Sequence, residues 1–160
     1  MMLLHGCLCR TRTERMEKMR EILFRGKRID NDEWVYGFYT QVGEKYHYML
    51  TGKLSIMGNI TTFDHVLVIP STVGQYTGLT DKNGKKIFEG DIVEFQDGVP
   101  DDIYHEIEIT NRGVISFSSG QFYVTDRNVV DMDDLILYDS DFDGEVIGNV
   151  HDNMELLKGD

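Results

Sequence analysis

A chain of 160 residues is one ordinary domain or two small β modules sharing an interface, and it can bury a core without disulfide or metal staples. Apolar residues make up 41% of it and charged residues 28%, which excludes wholesale disorder. The net charge of −12 is uneven: residues 1–28 hold eight Lys/Arg against three Glu, so the remainder carries −17. A body that acidic repels a phosphate backbone, so nonspecific nucleic-acid binding by the folded part is disfavoured.

No window approaches the roughly 18 apolar residues of a membrane span. Cys7 and Cys9 are the only cysteines; two ligands cannot close a tetrahedral zinc site, and a C-x-C ring would be strained if oxidised. The Leu3-Leu4-His5-Gly6-Cys7 stretch lacks a basic n-region and a long enough apolar run for an export signal. A reducing compartment, the cytoplasm, is expected.

In chain order, residues 1–19 read as a disordered or misassigned leader, with Met16 and Met19 as further plausible starts. Alternation then sets in. Ile22 and Phe24 against Leu23 and Arg25 predict a first strand, closed by a turn at Asp30-Asn31-Asp32. Trp34, Tyr36 and Phe38 fall at strict period two with Val35, Gly37 and Tyr39 on the other side, predicting a hairpin with an aromatic core face. Tyr46, Tyr48 and Leu50 repeat the pattern after a turn at Gly43-Glu44. Residues 51–62 are mixed and read as a loop with a short strand at 54–57, and the β-branched run 65–69 ends at Pro70.

The second half is more strongly punctuated. Residues 73–79 and 86–88 flank Asn83-Gly84, which predicts a type I′ hairpin turn because both central positions need positive φ. Glu89-Gly90 turns the chain into a strand at 91–95, followed by an acidic loop at 97–102. Strands are expected at 105–110, 113–117 and 122–124, the last two joined by Ser118-Ser119-Gly120. Residues 131–134 open a helical turn or loop running through Leu135, Ile136 and Leu137. A last strand covers 145–150, and 153–157 is a terminal turn. Short strands, Gly/Asn turns and no long helix predict an all-β fold: a small SH3-like barrel or sandwich in the C-terminal half and a hairpin-rich N-terminal half. The domain is placed at 20–160, with two modules at about 20–70 and 71–160 as the alternative division.

Three segments resemble the YopX family of bacteriophage and prophage proteins. They are Arg20-Glu21-Ile22-Leu23-Phe24-Arg25-Gly26-Lys27 with Glu33-Trp34-Val35-Tyr36-Gly37, the run from Thr72 through Gly74-Gln75-Tyr76-Thr77-Gly78 to Gly90-Asp91-Ile92-Val93, and Glu145-Val146-Ile147-Gly148-Asn149-Val150-His151-Asp152-Asn153. They follow the family's order and cover the chain from about Arg20 to Leu157. The resemblance implies a phage or prophage gene expressed in the cytoplasm of a bacterial host, a β-rich fold and self-association, and it implies no reaction. The chain departs from the pattern at Met154, where such proteins often carry proline.

Candidate chemistry is sparse. Asp139, Asp141 and Asp143 before Gly144 have the spacing of a calcium loop. The twelfth position, where an EF-hand needs Glu, is Val150 in a predicted strand, so a self-capping polar turn is the stronger reading. The acidic run from Asp131 to Glu145 is contiguous and contains no Lys or Arg, unlike the converging carboxylates of a two-metal site. The five histidines show no metal-binding or triad spacing, no G-x-S-x-G elbow occurs, and the glycines punctuate hairpins rather than cradle phosphate. No catalytic residue, metal or cofactor is therefore assigned, and the chain is expected not to be an enzyme.

The aromatics Trp34, Tyr36, Phe38, Tyr46 and Tyr48 could stack single-stranded bases, but only Lys45 is near, so they are assigned to core or to a subunit interface. The expected function is a self-assembling interaction module, a homo-oligomer that presents an acidic face to a host or phage protein. The alternatives are a nucleic-acid-associated β-barrel working through the basic leader, and then a metal-dependent hydrolase.

Overall fold

The alternation at Trp34 becomes a nine-residue strand at the centre of a meander. The computed structural model describes residues 21–57, 60–100, 106–126, 135–136 and 142–158. In it β1 (Phe24–Lys27), β2 (Trp34–Val42), β3 (Tyr46–Met57) and β4 (Ile60–Leu67) pair antiparallel in succession. A 3-10 turn, Pro70–Thr72, then leads to β5 (Gly74–Thr80) and β6 (Lys86–Phe88). Because β5 pairs with β1, the first sheet runs β4-β3-β2-β1-β5-β6 and crosses position 70. The second sheet holds β7 (Asp91–Pro100), β8 (Glu106–Ser118), β9 (Gln121–Asp126), β10 (Leu135–Ile136) and β11 (Glu145–Asn149), in the order β10-β9-β8-β7-β11. The fold is all-β, with two antiparallel sheets, and neither closes among the described residues.

Several boundaries differ from the sequence reading, each for a physical reason. Residues 51–53 are strand rather than loop and run into the expected strand at 54–57, and 60–62 are strand as well: Thr51 and Gly52 interrupt the apolar alternation, but a register shift between Leu50 and Leu54 absorbs the break and pairing resumes to Met57↔Ile60. Residues 97–100 continue β7 rather than opening a loop, paired residue by residue with 106–109 of β8. The expected strands at 105–110 and 113–117 are one, β8, since Asn111 and Arg112 keep the ladder to Phe95 and Glu94. Residues 131–134 lie outside the described residues, while Leu135 and Ile136 pair with Val124 and Tyr123 as strand.

The turns exchange chemistry. Asn83 does not take positive φ, so Asn83-Gly84 is not type I′. Instead Asp81 organises that turn: its carboxylate accepts from the N–H groups of Asn83 and Lys85, at 2.9 and 2.8 Å, and from Val146 N–H at 3.1 Å. Burial opposes its charge, yet these three donors outweigh that and hold its pKa below the ordinary carboxylate value. The turn with two positive φ values is Ser119-Gly120, at 51° and 83°, between the paired residues Ser118 and Gln121.

Two clusters hold the sheets. Met49 and Val68 are fully buried on one face of the meander. Ile87 of β6 enters a second cluster with Val93, Ile115, Phe122, Val124 and Val146, against which Leu79, Phe95 and Phe142 pack. Each fully buried aliphatic side chain there contributes about 1.5–3 kcal/mol. The β5–β6 hairpin thus belongs to the first sheet by hydrogen bonds and to the second by burial.

Candidate functional site

Strand pairing decides which aromatic rings meet. Phe38 lies opposite Leu50, Thr40 opposite Tyr48 and Val42 opposite Tyr46, while Tyr48 also lies opposite Leu67. Side chains directly opposite share a face. One face of the meander therefore carries Phe38, Val42, Tyr46, Tyr48, Leu50 and Leu67. The other carries Gly37, Tyr39 and Met49 and is the buried one. The expected aromatic core face is thus corrected: Tyr36, Phe38 and Tyr46 are exposed, Phe38 at 61%. Tyr46 and Tyr48 stack with centroids 6.3 Å apart, Tyr48 meets His65 edge-on at 5.2 Å, and Tyr36 leans on Phe88 at 5.6 Å. The pairing adds Val42, Leu50 and Leu67 to the surface; Val42 was legible as a continuation of the period from Trp34, whereas Leu67 required knowledge of the β3–β4 register.

Trp34 leaves this group for an internal clasp. Its Nε1 donates to Asp152 Oδ2 at 2.8 Å, and its ring lies 5.9 Å from that of His151. The Arg25 guanidinium sits 4.8 Å from the Trp34 ring and 5.0 Å from Phe88. Arg25 Nη1 pairs with Asp91 Oδ1 at 2.6 Å, with side chains 8% and 1% exposed. The other Asp91 oxygen accepts from Phe88 N–H at 2.8 Å. Burial pushes the Asp91 carboxyl up, while Arg25 and the Phe88 N–H pull the other way. Asp152 also accepts from Lys27 and from Asn149 Nδ2. Hydrogen bonds from Lys27, Asn149 and Trp34 hold it far below the usual carboxylate range. Residues from both ends of the chain thus fasten the C-terminal turn to β1 and β2.

The clasp sets a pH dependence. Partial burial lowers the His151 pKa, Arg25 and Lys27 lower it further, and Asp152 opposes them. A folded-state value below the unfolded one contributes stability that is present above the ordinary His pKa of about 6.5 and is lost as pH falls through that value. Asp152 adds the same sign at lower pH, with stability present above about 3.9 and lost in stronger acid. The melting temperature is therefore expected to fall between neutral pH and pH of about 5. Fluorescence of Trp34, the only tryptophan, should report the same step. His151→Gln should flatten it; an unchanged profile in that variant would assign the step elsewhere.

The metal candidates receive no support from placement. Asp139 and Asp141 lie outside the described residues, Asp143 is exposed, and Phe142 beside it packs on Phe95 at 6.3 Å. Among the described residues no group of three or more His, Cys, Asp or Glu could hold a metal ion. No described helix is long and apolar enough to cross a membrane.

No curated protein matches the chain. Among solved structures, protein EF1440 from Enterococcus faecalis is similar, with 24% identity and a TM-score of 0.55, over 86% of this chain and 99% of that one. At that identity the likeness speaks for the fold alone. The description that matches at sequence level is "YopX protein", over residues 23–158. With most of its length matched, and with the β1–β2 hairpin, the β5–β6 turn and the closing Asn149-to-Asn153 turn all inside the match, the chain belongs to the YopX protein family.

Proposed function

We propose that this protein is a non-enzymatic interaction module that assembles with itself through the outer face of the meander and offers its acidic surface to a phage or host protein. The observation that carries the reading is the group Phe38, Val42, Tyr46 and Leu67, exposed together on one side of paired strands. Scattered surface apolar residues are ordinary, whereas a contiguous set on a rigid sheet marks a contact surface. The acidic remainder, −17 beyond residue 28, suits a basic partner site.

An SH3-like barrel in the C-terminal half would give this module its rigid base. Supporting it, Gly90 N–H donates to Ile115 O at 2.8 Å and Lys82 N–H to Gly144 O at 3.1 Å, which stitches the β5–β6 hairpin to the second sheet around the shared core.

Light scattering on the full chain in moderate salt tests the reading. A defined oligomer is expected, and Phe38→Glu, which places a charge at the centre of the surface, should dissociate it while leaving the circular dichroism unchanged. A wild-type monomer at all concentrations would remove self-assembly from the proposal.

A further inference from the structure

The exposed apolar face of the meander has a histidine in it. His65 is exposed and lies opposite Leu50, which in turn lies opposite Phe38. On its own strand Phe63 and Leu67 share its side by alternation, and the Tyr48 ring meets it edge-on with centroids 5.2 Å apart. The outward positions of β2 from Phe38 to Val42, of β3 from Tyr46 to Leu50 and of β4 from Phe63 to Leu67 hold no Lys, Arg, Asp or Glu. Tyr46 and Tyr48 are phenols, a class that charges only well above neutral pH. His65 is therefore the one group of this face that titrates in the range where histidines do.

The surrounding charges belong elsewhere. Asp64 is turned to the other side, where a Cβ built at Gly52 lies 3.2 Å from its Oδ2. Glu44 and Lys45, of opposite sign, occupy the hairpin turn beyond Tyr46. Segment 27–29, which pairs with 67–69, brings Lys27 and Arg28, already hydrogen-bonded to Asp152 and Asp30. Lys53 falls in the register shift of β3 and has the sign of an imidazolium, not the opposite one. The exposed part of the face thus holds, among the described residues, no carboxylate to pair with a proton on His65. The ring itself is set to receive one. The Phe63 carbonyl can only accept, so His65 Nδ1, 3.1 Å away, carries a hydrogen and Nε2 is the basic nitrogen.

We infer that His65 makes self-assembly pH-dependent: copies associate through this face while its imidazole is neutral and separate once it takes up a proton. This rests on the self-assembly reading and adds its regulation. A neutral face in a chain of net −12 lets two copies meet with little repulsion. A neutral imidazole, with one nitrogen satisfied inside its own strand, fits that contact; an imidazolium gives up water there with no acid in return. Desolvation disfavours the charged form, so the assembly binds fewer protons than the separate copies and is lost as pH falls through the ordinary His value of about 6.5. An isologous contact brings in His65 from both copies, which doubles the effect. The background runs the other way: acid reduces the net charge of −12 and by itself draws copies together. Dissociation in acid must then come from a local group.

Sedimentation equilibrium of the full chain at about pH 8 and about pH 5, below its melting temperature, reads the ratio of the two association constants. Association at least about tenfold weaker in acid is expected, with the circular dichroism unchanged. His65→Gln removes the proton site, and its ratio should fall to about one whatever its affinity. His151→Gln leaves His65 in place while taking the titrating ring out of the clasp, and should keep the wild-type ratio. Wild-type association that is equal or tighter in acid overturns the switch and leaves self-assembly standing. The same holds for a ratio that survives in His65→Gln or is lost in His151→Gln. A wild-type monomer at both pH values overturns self-assembly and the switch with it.

Discussion

Replacing Asp91 by alanine is expected to lower stability by about 3–5 kcal/mol, because it leaves the Arg25 charge buried without its partner. The loss has two parts. Arg25 Nη1 gives up a 2.6 Å ion pair in a place where its side chain is 8% exposed, so water cannot replace the carboxylate. Phe88 N–H loses its acceptor at the same stroke. What remains around the guanidinium is the Trp34 and Phe88 rings and the Glu89 carbonyl at 3.3 Å; Arg25 Nε has no hydrogen-bond partner among the described residues. Against the 5–15 kcal/mol total stability of an ordinary domain, at roughly ambient temperature, such a loss is a large fraction.

Two controls separate charge from hydrogen bonding in a urea titration. Asp91→Asn keeps an acceptor for Phe88 N–H and should cost less than alanine. The double variant Arg25→Met, Asp91→Leu removes both charges and should recover a good part of the loss, since desolvating an ion pair offsets much of its attraction. An unfolding midpoint for Asp91→Ala equal to that of the wild type would show that the pair contributes nothing to the join between the sheets.

That pair also marks where the sequence stops being readable. Arg25 and Asp91 each look, locally, like the polar member of an alternating strand, and nothing in a window around either one points to the other. The same holds for Trp34, whose period with Tyr36 and Phe38 placed it correctly on β2 but could not show that a carboxylate from the closing turn would claim its indole N–H. Local alternation did reveal β2, the start of β3 and the strand after Gly90, because there the apolar period and the cross-strand pairing agree. It failed over 51–53, where Thr51 and Gly52 resemble a loop and only the pairing with β4, resumed at Leu54 opposite Phe63, keeps the ladder running. It also failed at Asn83-Gly84, where the dipeptide located the turn but the Asp81 carboxylate chose its type. The outward orientation of Phe38 was unreadable for a related reason: both faces of β2 hold aromatic residues, and Gly37, with no side chain to vote, sits on the buried one.

Gly37 is accordingly the position where a single methyl group should do most harm to the proposed contact surface. A Cβ built there lies 2.0 Å from the Leu50 carbonyl oxygen and 2.8 Å from its carbon, closer than real Cβ atoms approach, and the obstacle is backbone rather than a movable side chain. Gly37→Ala can be accommodated only if β2 shifts away from β3, so its cost is expected at the upper end for single substitutions, about 3 kcal/mol. Gly43, in the turn joining the same strands, is the control. Its φ of +64° favours glycine, but nothing lies within 4 Å of a Cβ, so Gly43→Ala should carry only the left-handed penalty of about 1 kcal/mol. Thermal melts of the two variants should therefore separate, with Gly37→Ala the lower. Because the strained pairing is the one that sets Phe38 opposite Leu50, light scattering on Gly37→Ala below its melting temperature should show a weakened oligomer as well. If that variant melts early yet assembles as the wild type does, the association does not depend on the β2–β3 register, and the outer face of the meander is not the contact surface.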